Sequence, residues 1–391
     1  MTERAKRLRV GVNLLWLVPD VVGGSEEYTT RLLSGVAEQA PDDIELVLFA
    51  PDAFPTAYSD IAGAFETVVA PSDGARKPLR IALESSWLAV KARRAGVDLL
   101  HHAGGTIPPV RFTPAVVTIH DLQPLLLPAN FHAAKQAYLR WRLPASAKAA
   151  RLVITLTDHA RRSVVERFGI DASRVVVVPP GFTHALTEKA GSDPAATYGI
   201  DGPFFLFPAI TYPHKNHLVL VRAFAKVVAE HPGALLVLTG GPAQMEDAIG
   251  EEVARLGIGG SVRRLGRIPR GDLDWLVRHA TALTFPSRFE GFGLPVLEAM
   301  GNGCPVIAAD ATALPEVVGE GGILVDPDDV DGWAATMVQV LNDADRRAWL
   351  IEAGFAQTAR YQWAASTNAL LDAYRRAGGV AGVAVDEMGE R

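Results

Sequence analysis

The run TALTFPSRFEGFGLPVLEAMGNGCPVIAA, Thr281 to Ala309, decides how the chain is read. It opens with a short apolar strand, Ala282 to Phe285, and continues into a loop holding Glu290, Gly291 and Gly293. Pro295 then starts a helix carrying Glu298, and a second apolar strand follows at Pro305 to Ala308. Proline suits the first helical position because its missing N–H has no intrahelical partner there. The two glycines before it let the backbone turn sharply and lie close to a ligand. N–H groups at such a helix end, helped by the helix dipole, attract anions. Two carboxylates flank this phosphate cradle, and carboxylates face hydroxyl or amino groups instead of phosphate. A sugar nucleotide has both features. On spacing alone, an ordinary loop with two solvated glutamates fits as well, since Gly, Pro and Glu are common in loops.

At 391 residues the chain is long enough for two domains of ordinary size. Its 49% apolar and 21% charged residues describe a soluble globular protein and not a disordered one. No apolar run approaches the ~18 residues that a membrane-spanning helix needs. The start, MTERAKRLR followed by VGVNLLWLV, reads as a first buried strand and not as a signal peptide. Asn13 interrupts its apolar run, and no small-residue cleavage site follows. The one cysteine, Cys304, excludes an internal disulfide and fits a reducing cytoplasm. Set between Gly303 and Pro305, it reads as a small buried packing residue. Charge is uneven: residues 1–182 hold 21 Lys and Arg against 18 Asp and Glu, while residues 183–391 hold 17 against 26. The mildly basic first half suits an anionic partner, either a pyrophosphate-linked acceptor or an anionic membrane surface.

Strand-like apolar runs alternate with helical patterns throughout, which predicts parallel α/β units. In the first half strands are expected near 8–13, 44–49, 67–70, 97–101, 115–119, 152–156 and 175–178, with helices at 26–39, 81–95, 133–149 and 158–168 between them. In the second half strands are expected near 203–209, 234–239, 262–265, 281–285, 305–308 and 322–325, with helices at 217–230, 246–256, 272–279 and 330–341. Two doubly wound sheets follow, with ligands at the carboxyl ends of the strands. The boundary falls after PPGF (Pro179–Phe182), in the polar, small-residue stretch TEKAGSDPAATYGIDG. The Gly/Val-rich tail after Ala377 is expected to stay mobile.

EGFGLPVLEA resembles the E-x7-E signature of the retaining glycosyltransferases of family four, which have the two-domain B-type fold. Other pieces agree in order: GG at Gly23 and Gly24, TIHDL around His120, PHKNH around Lys215, and LPEVVG at Leu314 to Gly319. The likeness covers roughly residues 8 to 377. It implies two Rossmann-like domains facing across a cleft: an acceptor-binding domain at 1–182 and a nucleotide-sugar-binding domain at 203–360. A last helix, within 361–377, would return to the first domain.

The resemblance also distributes roles. Glu290 would hold the transferred sugar and Glu298 the ribose hydroxyls. Backbone N–H groups of Gly291, Phe292, Gly293 and Leu294 would take hexose hydroxyls and phosphate. Gly24, after the first strand and before a helix with Ser25 as N-cap, would lie near the acceptor and the reacting phosphate. By itself a GG pair is as readily a plain turn, and the chain has no G-x-G-x-x-G of a dinucleotide-binding dehydrogenase. His120, at the end of the strand AVVTIH, would bind a donor sugar hydroxyl, with Asp121 orienting its ring. Gly240, after ALLVLT, would line the nucleotide pocket.

The segment FPAITYPHKNH departs from the family pattern. Lys215 matches the cation on the donor diphosphate, but Pro208, Ala209 and Ile210 stand where the family carries an Arg. Arg267 or Arg288 would have to substitute. His214 and His217 form an H-x-x-H, but no second ligand pair accompanies them, so no metal is expected. The stretch from Lys135 to Arg151 holds five basic residues, no acidic one, and Tyr138 and Trp141. It reads either as a solvated helix face or as an amphipathic membrane contact.

The expectation is a cytoplasmic, retaining, metal-independent hexosyltransferase, peripheral at the inner membrane face if that helix binds lipid. It would use a nucleotide diphosphate sugar as co-substrate, GDP-mannose first, and no cofactor. The acceptor would be a glycan or lipid-linked saccharide in surface polysaccharide assembly; no nucleic-acid partner is expected. Two rivals of the same architecture stay open, a sugar-nucleotide epimerase and a non-catalytic sugar-nucleotide-binding protein. A periplasmic-type binding protein is disfavoured by the absent signal peptide.

Overall fold

The computed structural model describes residues 7–19, 21, 23–128, 132–183 and 193–379. Residues 184–192, which include the start of the polar boundary stretch, and the tail from residue 380 lie outside them. The chain divides into two compact units. The first takes the described parts of Met1–Leu125, Ala133–Gly181 and Trp363–Arg391; the second takes those of Leu126–His132 and Phe182–Gln362.

Seven parallel strands build the first unit: β1 (Leu8–Asn13), β2 (Ile44–Ala50), β3 (Glu66–Val69), β4 (Leu99–His102), β5 (Ala115–Thr118), β6 (Leu152–Thr155) and β7 (Val175–Val177), in the order β3-β2-β1-β4-β5-β6-β7. AVVT of β5 and LVIT of β6 are buried at every position, as strands covered on both faces must be. The order reverses between β1 and β4, and a crevice opens outside the carboxyl ends at such a reversal.

The last helix, Trp363–Gly378, belongs to this first unit. It packs on the Gly24–Gln39 helix, where a side chain at Gly35 would overlap the Thr367 hydroxyl. The fully buried Tyr374 hydroxyl meets His101 Nδ1 at 2.8 Å, and His101 Nε2 meets Thr118 Oγ1 at 2.8 Å. Arg375 forks onto Asp43 at 2.7 and 3.0 Å, and Arg151 donates to the Ala377 carbonyl at 2.8 Å.

Two helix ends differ from expectation. The helix expected after Ser25 starts at Gly24, and Gly23 stands at its cap with φ 77° and ψ −137°. Glycine takes that conformation without strain, and among the described residues no side chain caps the end. The single helix expected over 81–95 is two, Lys77–Ser85 and Trp87–Arg94. Ser86 leaves helical backbone at φ −124°, and its hydroxyl bonds back to the Ala82 carbonyl at 2.7 Å.

Six parallel strands build the second unit: β8 (Phe204–Pro208), β9 (Leu235–Thr239), β10 (Val262–Gly266), β11 (Ala282–Phe285), β12 (Val306–Ala309) and β13 (Ile323–Val325), in the order β10-β9-β8-β11-β12-β13. Its reversal lies between β8 and β11. Phe205, Phe207, Phe224, Phe285 and Trp333 fill the core, and the Trp333 indole N–H reaches the Asp326 carbonyl at 3.0 Å. Cys304 is buried, and burial pushes its thiol up to about 12, which suits packing and not nucleophilic work. Among the described residues no helix is long and apolar enough to cross a membrane.

Tyr374→Phe removes the hydroxyl that His101 uses and should lower stability by about 1–3 kcal/mol, read by urea unfolding, because a buried ring nitrogen loses its partner. Burial also holds His101 and His102 down at about 3. The unfolded chain takes up protons below about pH 6.5, where the folded rings refuse them. Stability should therefore be full above that pH and decline as pH falls toward 3, by up to ~1.4 kcal/mol per unit per ring. Urea midpoints equal at pH 7 and pH 5 would contradict this.

Candidate active site

In the second unit the loops after β8 and β11 flank the reversal of strand order, and each brings one charge to it. After β8 the chain makes a short turn, Pro213–Lys215, and Asn216 takes left-handed backbone (φ 61°) to start the His217–Glu230 helix. After β11 the loop buries Phe289 and Phe292 and exposes little of Glu290. Lys215 Nζ donates to Glu290 Oε1 at 2.6 Å, and both side chains are less than one-fifth exposed. The ammonium also lies 5.3 Å from the centre of the Phe285 ring. Away from bulk water such a pair is worth more than at the surface, and removing either partner strands the other.

A second contact shapes the loop from behind. The Glu290 backbone N–H donates to Thr312 Oγ1 at 3.0 Å. Thr312 takes left-handed backbone (φ 51°), which is strained for a β-branched residue. Gly293, at φ 105°, caps the next helix, Leu294–Gly301, whose first residue is Leu294; Pro295 stands second and not first. A Cβ at Gly293 would lie 2.8 Å from Leu314. The cap residue is a glycine and brings no capping side chain, and a helix amino end of this kind attracts anions.

The remaining residues marked in this unit have assigned neighbours. Glu298 Oε1 lies 3.5 Å from Arg270, which also bonds Asp274 at 2.8 Å. Arg288 is engaged by Asp328 through its guanidinium at 2.9 Å and donates its backbone N–H to the His214 carbonyl. Arg267 is exposed, makes no ion pair among the described residues, and lies against Gly241, 3.1 Å from where a Cβ would stand. Gly240 approaches the Ala209 carbonyl so closely that a Cβ would come within 2.5 Å of it. His214 stacks on Tyr212 and His217 packs on Phe207; among the described residues no group of three His, Cys, Asp or Glu could hold a metal.

In the first unit the Gly24 helix and His120 come together. Tyr28, one turn beyond Gly24, sets its ring edge-on to His120 with centroids 5.6 Å apart, and Trp16 lies on another side at 6.3 Å. The Tyr28 hydroxyl donates to the Val178 carbonyl at 2.8 Å. His120 Nε2 lies 3.0 Å from the Ala103 carbonyl, so that nitrogen carries the hydrogen. This carbonyl helps to orient the ring, and Asp121 Oδ1, on the following turn, accepts the Gln123 N–H at 2.8 Å. Burial pushes the ring down to about 4 while the carbonyl pulls the other way, so it is neutral near pH 7. Its Nδ1 is then an acceptor, suited to a hydroxyl. Sequence reasoning missed Tyr28, Trp16 and Thr312. The i, i+4 spacing from Gly24 could have flagged Tyr28; nothing in the sequence marks Thr312.

The family described as "Glycosyltransferase Family 4" matches residues 22–186, and "Glycosyl transferases group 1" matches residues 198–357. O-antigen chain mannosyltransferase B of Escherichia coli is 30% identical over 290 residues, covering 71% of this chain and 74% of that protein. D-inositol 3-phosphate glycosyltransferase of Nocardia farcinica is 35% identical over 260 residues, covering 62% of this chain and 57% of that one. Among solved structures, Anabaena HepE in complex with UDP and glucose aligns with a TM-score of 0.71 at 20% identity, over 94% of this chain and 99% of that one. WaaG, a glycosyltransferase involved in lipopolysaccharide biosynthesis, aligns with a TM-score of 0.68 at 16% identity, over 93% and 98%. The two structures speak for the fold, the Escherichia coli relative and the two family matches for the family: this chain is a glycosyltransferase of family four with the B-type fold.

Proposed function

We propose that the protein transfers mannose from GDP-mannose to a hydroxyl of a glycan or lipid-linked saccharide in surface polysaccharide assembly, with retention of configuration and without a metal. The observation that carries this is the Lys215–Glu290 pair beside the amino end of the Leu294–Gly301 helix. Without donor the two charges neutralise each other. With donor, Lys215 and the helix end take the diphosphate, and Glu290 turns to hydroxyls of the hexose. In this reading Glu298 holds the ribose hydroxyls, the neutral His120 accepts from a hydroxyl of the donor sugar, and the first unit takes the acceptor.

The chemistry needs charge stabilisation more than a protein nucleophile. The bond from the anomeric carbon to phosphate oxygen breaks, and the acceptor oxygen bonds to that carbon on the same face. The acceptor's proton passes to a phosphate oxygen, and GDP leaves. Stabilising the departing charge is the largest task. Arg267 supplies the second cation: Arg288 is held by Asp328, whereas Arg267 lies against the glycine turn after β9. Mannose as the sugar rests on the O-antigen mannosyltransferases among the relatives.

Incubated with a panel of nucleotide sugars and saccharide acceptors, the wild type should release GDP from GDP-mannose, faster with acceptor. Lys215→Ala and Glu290→Ala should each lower turnover by about 10²–10³-fold, the loss seen when one charge-stabilising group is removed. GDP binding without release from any acceptor mixture would leave only a binding role. Arg267→Ala should cut turnover at least ~10-fold, with Arg288→Ala within ~3-fold of wild type; the reverse ranking would move the second cation to Arg288.

A further inference from the structure

Between β13 and the Val330–Asn342 helix of the second unit the chain makes one short loop, Asp326 to Asp329. Several bonds tie it down. The indole of the fully buried Trp333 donates to the Asp326 carbonyl at 3.0 Å, and Asp326 Oδ1 accepts the Asp328 N–H at 2.8 Å. Asp329 Oδ1 accepts the Gly332 N–H at 2.9 Å. Pro327 adds a fixed φ. The loop therefore presents the Pro327 carbonyl from a stiff frame.

That carbonyl accepts from Asn216 Nδ2 at 2.6 Å, and Asn216 is 4% exposed. An asparagine just before a helix is ordinarily its N-cap. Here, among the described residues, its side chain makes no capping bond to the His217–Glu230 helix and reaches 111 residues along the chain instead. Its backbone is left-handed, φ 61° and ψ 35°, a region that few residues with a side chain adopt. Asn216 also closes the turn that sets Lys215. Its N–H bonds the Pro213 carbonyl at 3.2 Å, and the Lys215 N–H bonds the Tyr212 carbonyl at 3.0 Å. The same loop meets the Glu290 side through Asp328 and Arg288, but both of those side chains are largely exposed, and such pairs contribute little.

We propose that Asn216 is a positioning residue for the transfer: its amide, seated on the Pro327 carbonyl, fixes the left-handed turn from which Lys215 sends its ammonium toward the donor diphosphate. This rests on the role proposed above for Lys215. The ammonium stands at the end of a flexible four-carbon stem, so a rotation of the turn is carried out to its tip. A misplacement of about 1 Å is enough to cost a large part of the rate. Asn216 touches no donor atom in this account and acts through its neighbour.

Two variants test this, with thermal melts as a folding control. Asn216→Gly keeps the left-handed backbone and loses the amide; Asn216→Asp keeps the size and sets a carboxylate oxygen against the Pro327 carbonyl. With the nucleotide sugar that the wild type turns over fastest, each should lower kcat ~10–100-fold and shift KM by less than ~3-fold. In a Lys215→Ala background Asn216→Gly should lower kcat by no more than ~2-fold further, because no ammonium is left to aim. Reductive methylation of the ligand-free protein, read by mass spectrometry, should mark Lys215 at least ~3-fold faster in both variants, with Lys226 on the next helix unchanged, as a loosened turn opens locally. Equal kcat losses with and without Lys215 would overturn the positioning role, and so would kcat within ~3-fold of wild type in both variants; Lys215 keeps its own role in either case. Unchanged turnover in Lys215→Ala would overturn the role of Lys215 and the aim proposed here with it. Equal labelling rates in wild type and variants overturn the tether on their own, even where no nucleotide sugar turns over and the transfer reading itself fails.

Discussion

A parallel strand covered on both faces has no place for a charged side chain except at its ends. That constraint organises both units. The strands LVIT and AVVT in the first and FFLFP and LLVLT in the second spend nearly every position on packing. Groups that handle a polar ligand are left to the loops after them. Where the strand order reverses, two such loops diverge and leave room between them. Lys215 follows β8 and Glu290 follows β11, the two strands at the reversal of the second sheet. They meet because the topology leaves them nowhere else to go.

Placing a lysine and a glutamate in contact, each mostly shielded from water, sets up an exchange. Neither can lose its partner cheaply, yet a ligand carrying phosphate at one end and hydroxyls at the other can replace both at once. The loop is held for this from behind: Thr312 keeps a strained left-handed backbone, and its hydroxyl holds the Glu290 amide. Strain of this kind persists where surrounding structure over-determines it, and here the packing of Leu314 beside Gly293 is part of that surrounding.

The alternation of apolar runs with helical patterns made the thirteen strands legible, because a buried parallel strand is a short uninterrupted apolar string. Local choices that tertiary contacts decide were not legible. A serine before two glutamates looks like a cap, yet Gly23 takes the position because only its backbone reaches φ 77° there. Ser86 looks helical, and its hydroxyl turns back to Ala82 and ends the helix. At the site, motif spacing marked Lys215, Glu290, Arg267 and Arg288 individually. It carried nothing about which of them touch, since Asp328 lies 40 residues from Arg288 and Glu290 lies 75 from Lys215. The contact of Asp121 Oδ1 with the Gln123 N–H was not legible for the same reason: motif spacing marks a carboxylate and not the turn it sits on.

The Trp363–Gly378 helix is part of the first unit although it is made nearly two hundred residues after that unit's last strand. On the ribosome, β1 to β7 therefore emerge and wait while the whole of 182–362 is synthesised. Until Leu370, Leu371 and Tyr374 arrive, the groove beside Gly35 and the His101 ring have no cover. The second unit has no such debt to a later segment and can close as soon as Gln362 is out. Order of synthesis and order of completion are thus inverted, and the amino-terminal half is the part exposed to chaperones and to aggregation while the chain is still growing.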